Sequence, residues 1–374
     1  MSYSAIAWGL LLAWAAAITL HYLLSGRTWL WALPEMVPPV AFAAVPLAVI
    51  VLAVLRPPLP AGGGHWTVPV LASVLLVAGG RWSGVTLRPR RRRPARAAAT
   101  AVARAGSTAR TGPPAAAPVV AFVWNTQFWD QGKDQESFHR FIRERAADVY
   151  FLQEYVYWAG REVPATGIEK LAALMPDHEV FTDAGLVTLV HRRLAPLRRP
   201  GIPGTALRVD ISAGAAPIAL YNIHLPAPLD PGKSPLKAPF YRFVRAQAAR
   251  RRHAFQALDE LLDEAPPALF MGGDFNSSPA MRGMRRLRGR LADALPPAGR
   301  PYPATWPAGR WRLWRIDWVF TSPQVVVESA RIVEPAGLSD HAGQLCVIRP
   351  SPRMTDLQGS DLQVSDLHAE RAVR

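Results

Sequence analysis

Polar residues recur where the short apolar runs of this 374-residue chain end. In the segment FMGGDFNSSP, Asp274 and Asn276 follow an apolar run and two glycines. Residues of these types form tight turns, and they can also place carboxylate and amide groups at the end of a strand. The other positions of this kind are Asn125, Glu154, His224, Asp317, Asp340 and His341. One such position would mean little, whereas the whole series predicts a shared site.

The chemical groups at these positions are carboxylate, amide and imidazole. Cys346 is the only cysteine, so the chain forms no internal disulfide and a cysteine-rich zinc site is not expected. Carboxylate and amide oxygens suit a hard cation such as Mg²⁺, which keeps several waters and binds substrate phosphate. The residue types therefore suit a magnesium site.

These side chains must be positioned by the strands and helices that alternate from Val119 onwards. Short apolar runs bounded by turn residues predict strands at VVAFVWN, ADVYFLQE, GLVTLVH, PIALYNIHL, PALFMGGDFN, WRIDWVFTS and QLCVI. Helical periodicity predicts helices in DQESFHRFIRER and over residues 241–262. Alternation of this kind is typical of an α/β fold.

The motifs WNTQ, FLQE, NIHL, GGDFNSSP, RIDWVF and LSDH, in this order, resemble the endonuclease/exonuclease/phosphatase superfamily. That superfamily includes pancreatic-type deoxyribonuclease, apurinic endonucleases, inositol polyphosphate 5-phosphatases and neutral sphingomyelinases. The resemblance covers about residues 119–350, within a predicted catalytic domain at 118–350. It implies a four-layered αββα sandwich that hydrolyses a phosphate ester with Mg²⁺ or Mn²⁺.

The resemblance also implies a role for each polar position. The metal-binding group comprises Glu154, Asn125 and Asp340. The catalytic group comprises His341, Asp317, Asp274, Asn276 and His224. Asp317 would orient His341, which would take a proton from the attacking water or position it. Asp274 and Asn276 would hold that water and a phosphate oxygen, and protonated His224 would donate to the phosphate. The family pattern leaves the identity of the general base open.

Three apolar segments precede this domain, at residues 5–24, 36–55 and 66–84. A helix of 20 apolar residues crosses roughly 30 Å of hydrocarbon, and tryptophans lie near the segment ends as they do at membrane interfaces. A cleaved signal peptide is the alternative for the first segment, but residues 1–4 carry no positive side chain. We therefore predict a multi-pass membrane region over residues 1–87.

The net charge of +15 belongs mainly to the first third of the chain. Residues 1–117 hold eleven arginines and one acidic residue, Glu35, so the excess is not a nucleic-acid footprint of the folded domain. We interpret residues 88–117, rich in Arg, Ala and Pro, as a linker that lies near anionic headgroups. Residues 351–374 are predicted to be a flexible tail.

Arginines also cluster directly after GDFNSSP, in the segment AMRGMRRLRGR. We interpret this segment as a solvated face, and contact with a polyanionic substrate is the alternative.

Three functions fit the sequence. The favoured one is a membrane-tethered phosphatase or phosphodiesterase acting on a lipid-linked substrate. The alternatives are a nuclease whose linker binds DNA and a membrane scaffold without activity. The arginine distribution places the domain in the cytoplasm, whereas the resemblance to membrane-bound relatives favours the outer side of the cell membrane, which we take as the expectation.

Overall fold

The fold is described by a computed structural model. It covers residues 3–55, 67–85, 117–129, 134–158, 162–164, 167–213, 217–230, 232–295, 302–309 and 311–351. The predicted linker and tail lie outside the described residues, except for residues 117 and 351.

Two six-stranded mixed sheets form the centre of the molecule. The first sheet has the order β13-β14-β1-β2-β6-β5. Its strands are β1 (Val119–Asn125), β2 (Val149–Gln153), β5 (His178–Asp183), β6 (Leu186–His191), β13 (Val325–Val333) and β14 (Gly343–Pro350). Strand β1 is parallel to β2 and antiparallel to β14.

The second sheet has the order β11-β12-β10-β9-β8-β7. Its strands are β7 (Leu197–Ile202), β8 (Ala206–Ser212), β9 (Pro217–His224), β10 (Leu269–Asp274), β11 (Ala292–Asp293) and β12 (Asp317–Thr321). Strand β10 is parallel to β9 and antiparallel to β12. A separate hairpin pairs β3 (Val156–Trp158) with β4 (Glu162–Pro164).

Helices cover the outer face of each sheet. Helices α4 (Gln135–Arg143) and α5 (Ile168–Leu174) pack on the first sheet, and α6 (Ala238–Glu264) and α7 (Arg282–Arg290) pack on the second. Between the sheets, Val123 and Phe151 of the first meet Phe270 of the second in a buried cluster. Burial of these apolar faces is the main force that holds the layers together. The predicted αββα sandwich is confirmed.

A polar bridge joins the two sheets inside this apolar layer. The side-chain amide of Gln153 donates to the Asn222 side chain at 2.6 Å. Asn222 in turn donates to the carbonyl oxygens of Val187 at 3.0 Å and Leu152 at 3.3 Å. Gln153 precedes Glu154 and Asn222 lies two residues before His224, so the bridge fixes the sheets relative to each other beside the predicted site.

The N-terminal segment forms α1 (Tyr3–Leu24), α2 (Ala41–Val54) and α3 (Thr67–Ser83). Among the described residues, one helix, Ile6–Leu24, is long and apolar enough to cross a membrane. A bent pair, Trp29–Met36 with Ala41–Ala53, would make a second span, with 56° between its halves. The prediction of three spans is therefore not confirmed. Pro38 and Pro39 stand where the second predicted span breaks, before α2 begins.

The N-terminal helices pack directly against the sandwich. The Nε2 atom of His21 lies 3.0 Å from the Ala280 carbonyl oxygen, and the Arg282 amide donates to the Ser25 hydroxyl at 3.1 Å. The Trp314 indole donates to the Met36 carbonyl oxygen at 3.0 Å. The first two contacts join the end of α1 to Ala280, in the loop between β10 and α7, and to the first residue of α7.

Candidate active site

Three of the predicted residues lie side by side at one end of the second sheet. Asp274 ends β10 and is in register with His224, which ends β9, and with Asp317, which begins β12. Because β12 is antiparallel to β10, its first residue meets the last residue of β10 at the same edge. Sheet register alone therefore brings together residues that are up to 93 positions apart in the sequence.

The first sheet supplies two more residues from the facing layer. Asn125 ends β1 and is in register with Gln153 at the end of β2, and Glu154 follows immediately. The Asn125 side chain donates to the Asp274 carboxylate at 3.0 Å, across the gap between the sheets. The Nε2 atom of His224 lies 3.6 Å from the Glu154 carboxylate and 3.9 Å from that of Asp274.

Asp340 and His341 reach the same place from the loop before β14. The Nδ1–H group of His341 donates to Asp317, 3.0 Å from both carboxylate oxygens. Its Nε2 atom lies 4.0 Å from the Asp274 carboxylate and 3.7 Å from the Asp340 carboxylate. The structure thus brings the predicted acidic and imidazole groups into one cluster.

The turn after β10 aims Asp274 and Asn276. Gly273 has φ +148°, and a β-carbon there would lie 1.9 Å from the Ile223 carbonyl oxygen, so only glycine fits. The Asn276 amide then donates to the Asp274 carboxylate at 2.7 Å, and the Asn276 side chain donates to the Leu225 carbonyl oxygen at 2.9 Å. The tight turn therefore places two side chains of the site.

The donor set fits a divalent cation. Ligand atoms of Glu154, His224 and Asp274 lie within 4.8 Å of one another, and so do those of Asp274, Asp317 and His341. One carboxylate oxygen of Asp340, Oδ1, is buried and accepts no hydrogen bond, and His341 Nε2 lies 3.7 Å from it. An anionic oxygen in that state is costly unless a cation or a donor meets it. Carboxylate-rich sites of this kind suit Mg²⁺ or Mn²⁺.

The predicted metal group differs from these clusters in one respect. The sequence groups Glu154 with Asn125 and Asp340. In the structure, the ligand atoms close to the Glu154 carboxylate belong to His224 and Asp274. Asn125 uses its amide oxygen to accept from the Gln127 amide at 2.9 Å, while its nitrogen bonds Asp274.

Burial and neighbouring charges set the protonation states of the cluster. Burial raises the pKa of the Asp274 carboxyl to about 6, and the nearby carboxylate of Asp317 acts in the same direction. Burial lowers the pKa of His341, but the charge and hydrogen bond of Asp317 outweigh it and raise that pKa to about 10. At neutral pH, His341 and Asp317 therefore form a buried ion pair.

The stabilisation from this pair is expected to weaken in alkaline solution. The pKa of His341 in the folded protein, about 10, lies above the ordinary value of 6.5, so the contribution is complete below pH 6.5 and lost as pH rises through about 10. The unfolding temperatures of the protein and of its His341→Gln variant should therefore differ most in weakly acidic buffer and converge in alkaline buffer. Thermal unfolding across this range tests the prediction, and a difference that grows with pH would contradict it. His191→Gln serves as the control.

Several residues of the site were not singled out by the sequence. The Trp306 indole donates to Asp340 at 2.9 Å, and the Asp340 amide donates to the Gln127 side chain at 2.9 Å. The buried Thr305 hydroxyl accepts from the Asp317 amide at 3.2 Å. Gln127 lies in the WNTQ motif, and Trp306 lies in the segment YPATWP, whose resemblance to a family loop predicts a wall of the site.

Other histidines lie outside the site. His139 and His178 are buried in the sandwich, although their sequence context is that of polar surface segments. His139 lies against Trp129, and His178 Nε2 lies 3.0 Å from the Ala147 carbonyl oxygen. His191 ends β6 and accepts from the Arg193 amide.

The arginine cluster of α7 is only partly the solvated face that was predicted. Arg285 lies over the Trp82 ring and donates to the Ala280 carbonyl oxygen. Arg286 and Arg290 form ion pairs with acidic residues of α6. The cluster therefore contacts both α6 and the N-terminal helices, because α7 lies between them.

The two sheets and the flanking helices define an α/β-sandwich protein, and the carboxylate and imidazole cluster at one edge could hold a metal ion. Residues 122–341 match the Endonuclease/Exonuclease/phosphatase family. This is more than half of the chain, and the protein belongs to that family, whose members are hydrolases that include nucleases and phosphatases. The resemblance seen in the motifs is confirmed.

Solved structures with the same fold share little sequence with the chain. The endonuclease domain of TRAS1, a telomere-specific non-LTR retrotransposon, is 17% identical, over 63% of this chain and 99% of that one, with a TM-score of 0.43. An endonuclease/exonuclease/phosphatase from Beutenbergia cavernae DSM 12333 is 18% identical, over 63% and 72%, with a TM-score of 0.42. A family protein from Bacteroides thetaiotaomicron is 11% identical, over 62% and 98%, with a TM-score of 0.43. No curated protein matches the chain.

Proposed function

We propose that the protein is a membrane-tethered, divalent-metal-dependent phosphoesterase that hydrolyses a lipid-linked phosphate ester at the bilayer surface. The observation that supports this most is the position of the loop between β10 and α7. Asn276 of this loop lies in the site, and four residues further on Ala280 contacts His21 near the end of α1. A site held this close to a membrane helix meets substrates that lie in the headgroup layer.

The surface of the N-terminal helices supports insertion into a membrane. Large apolar side chains of α1 and α3 face outward, with Leu12 60% exposed and Val77 80% exposed. An exposed apolar surface of this kind is costly in water and indicates contact with lipid or protein. Lipid is the simpler partner here, because α1 also has the length of a membrane span.

The residues of the cluster suit hydrolysis by water. Glu154 and Asp340 would hold the metal, with Asn125 and His224 beside them, and the ion would polarise the phosphoryl oxygens. With its raised pKa, Asp274 can accept a proton from the attacking water. His341, held charged by Asp317, can donate to a phosphate oxygen, and Asn276 can position the same group. This assignment favours Asp274 over His341 as the general base.

The test uses the full chain purified in detergent with Mg²⁺. Four substrates are compared: a lipid phosphomonoester, a lipid pyrophosphate, a phosphodiester lipid and supercoiled plasmid. Release of phosphate or headgroup from a lipid, abolished by chelation and restored by Mg²⁺ or Mn²⁺, is the expected result. Plasmid nicking without any lipid hydrolysis would make the protein a nuclease and overturn the proposal. No reaction with any substrate by a folded protein would favour the scaffold.

A further inference from the structure

A cavity of about 350 Å³ lies between the N-terminal helices and the sandwich, apart from the carboxylate cluster. One wall is formed by the chain that follows α1, including Thr28 and Glu35. The opposite wall is formed by α6 and by the start of α7, and it supplies Arg251, Arg252, Arg282 and Arg286. None of the residues that line the cavity is assigned a role in hydrolysis.

The charge of this cavity is strongly positive. Four arginines line it against one acidic residue, Glu35, whose carboxylate already accepts from the Gly26 amide at 2.9 Å. Arg286 forms an ion pair with Asp259 at 2.9 Å. Within the described residues, no carboxylate forms an ion pair with Arg251, Arg252 or Arg282, so the cavity is electrostatically suited to an anion.

The buried side chain of Arg251 independently supports binding of an anion in the cavity. Its side chain is nine-tenths buried, and it donates to the neutral oxygens of Pro226 and Ser277. A buried guanidinium without a carboxylate partner is costly, and an anion in the cavity would offset its charge. Glu35 and Asp274 act on it only through their more distant charges.

The start of α7 adds to the positive potential. Arg282 is the first residue of the helix, its amide donates to the Ser25 hydroxyl, and the preceding residue, Met281, makes no capping hydrogen bond with its side chain. The amide end of a helix carries a partial positive charge and favours an anion. The helix end and the arginines therefore act in the same direction.

The position of the cavity indicates which anion meets it. Helix α1 ends at Leu24, and Gly26 and Thr28 line the cavity just beyond that end. If α1 spans the membrane, residues at this position lie at the depth of the phosphate groups of the lipids. Arginine forms two parallel hydrogen bonds with phosphate, which suits it to that group.

We propose that this cavity binds the phosphate of an anionic phospholipid headgroup and so anchors the sandwich to the membrane surface. The inference rests on the membrane insertion of α1 proposed above. It assigns a second phosphate site, separate from the carboxylate cluster, to the family domain and its N-terminal helices together.

The test uses the full chain in nanodiscs of phosphatidylcholine mixed with phosphatidylglycerol, released into native mass spectrometry. We expect the protein to retain phosphatidylglycerol about tenfold over phosphatidylcholine, which corresponds to about 1.4 kcal/mol. The double variant Arg252→Gln, Arg282→Gln should lose this preference. The matched variant Arg250→Gln, Arg331→Gln, which removes two charges outside the cavity, should keep it. Equal retention by both variants would overturn the proposal.

Two further measurements separate headgroup binding from a folding defect and from binding of free phosphate. Arg252 is exposed on α6, so Arg252→Glu alone should fold and should also weaken phosphatidylglycerol retention. Inorganic phosphate and glycerol 3-phosphate are then added without lipid. If they raise the unfolding temperature while phosphatidylglycerol is not retained, the site binds free phosphate and the headgroup assignment is wrong. Flotation with phosphatidylcholine vesicles and the hydrolysis assay report separately on the proposed membrane insertion and activity.

Discussion

Glu154→Gln should leave the sandwich folded and reduce hydrolysis below detection. Glu154 lies beside His224 and Asp274 in the clustered ligand set, and glutamine keeps its shape while removing its charge. Loss of a residue that only hydrogen-bonds a metal ligand weakens metal binding or activity by about 10–100-fold. Loss of a direct ligand should therefore weaken metal binding by at least about 100-fold.

Metal affinity provides a readout that does not depend on turnover. Titration of Mn²⁺, followed by electron paramagnetic resonance, should give a much weaker site in the variant than in the unmodified protein. Glu264→Gln, an exposed glutamate at the end of α6, is the matched control and should change neither affinity nor rate. Unchanged Mn²⁺ binding by Glu154→Gln would remove Glu154 from the metal site.

His341→Gln should lower kcat by about 10²–10⁴-fold, the usual contribution of a positioned acid or base. The side chain is buried between Asp317, Asp274 and Asp340, and glutamine cannot carry the positive charge that this environment stabilises. KM should change much less than kcat, because the donated hydrogen bond strengthens as charge develops on the phosphate.

The variant Asp317→Asn removes the negative charge of the His341–Asp317 pair but keeps the shape of the side chain. Asparagine can still bond His341 but no longer raises its pKa by charge, so the rate should fall and the alkaline limb of the pH profile should move to lower pH. His191→Gln, at the end of β6 and away from the site, should behave like the unmodified protein. A His341→Gln variant with normal kcat would show that His341 has only a structural role.

The loop from Asn276 to Arg282 connects the two proposed phosphate sites. Its first residue bonds Asp274, and its last contacts Ser25 and the arginine-lined cavity. Arg251 bonds the middle of the loop at Ser277 and also the Pro226 carbonyl oxygen, just beyond β9. Under the two proposals, docking of the sandwich on the membrane and alignment of the site would depend on the same short segment.

The sequence by itself determined the central strands and the polar residues at their ends. Strands β1 and β10 are buried on both faces, so they are continuous apolar runs that end abruptly at Asn125 and Asp274. Strand β9 is apolar up to Tyr221, and Asn222 interrupts it before it ends at His224. That contrast is local, and it is visible without the fold. The order of the motifs then indicated the family, and through it the sandwich.

Strands at the sheet margins had no such signal. Strand β7 reads LRRPGI and is exposed along nearly its whole length, and β13 alternates between buried and exposed positions. Pairing with β8 and β14 makes them strands, because backbone hydrogen bonds across the sheet outweigh weak local preference.

Only the tertiary structure decided how the N-terminal helices meet the sandwich. The contact of His21 with Ala280 joins residues 259 positions apart, and no local pattern encodes such a pair. Arg251 shows the same limit, since it falls on the buried stripe of α6 with Val244, Ala254 and Leu258, where an apolar residue is expected. Its burial beside Ser277 and its access to the cavity depend on three elements that converge only after folding, so the proposed second phosphate site could not be predicted from the sequence.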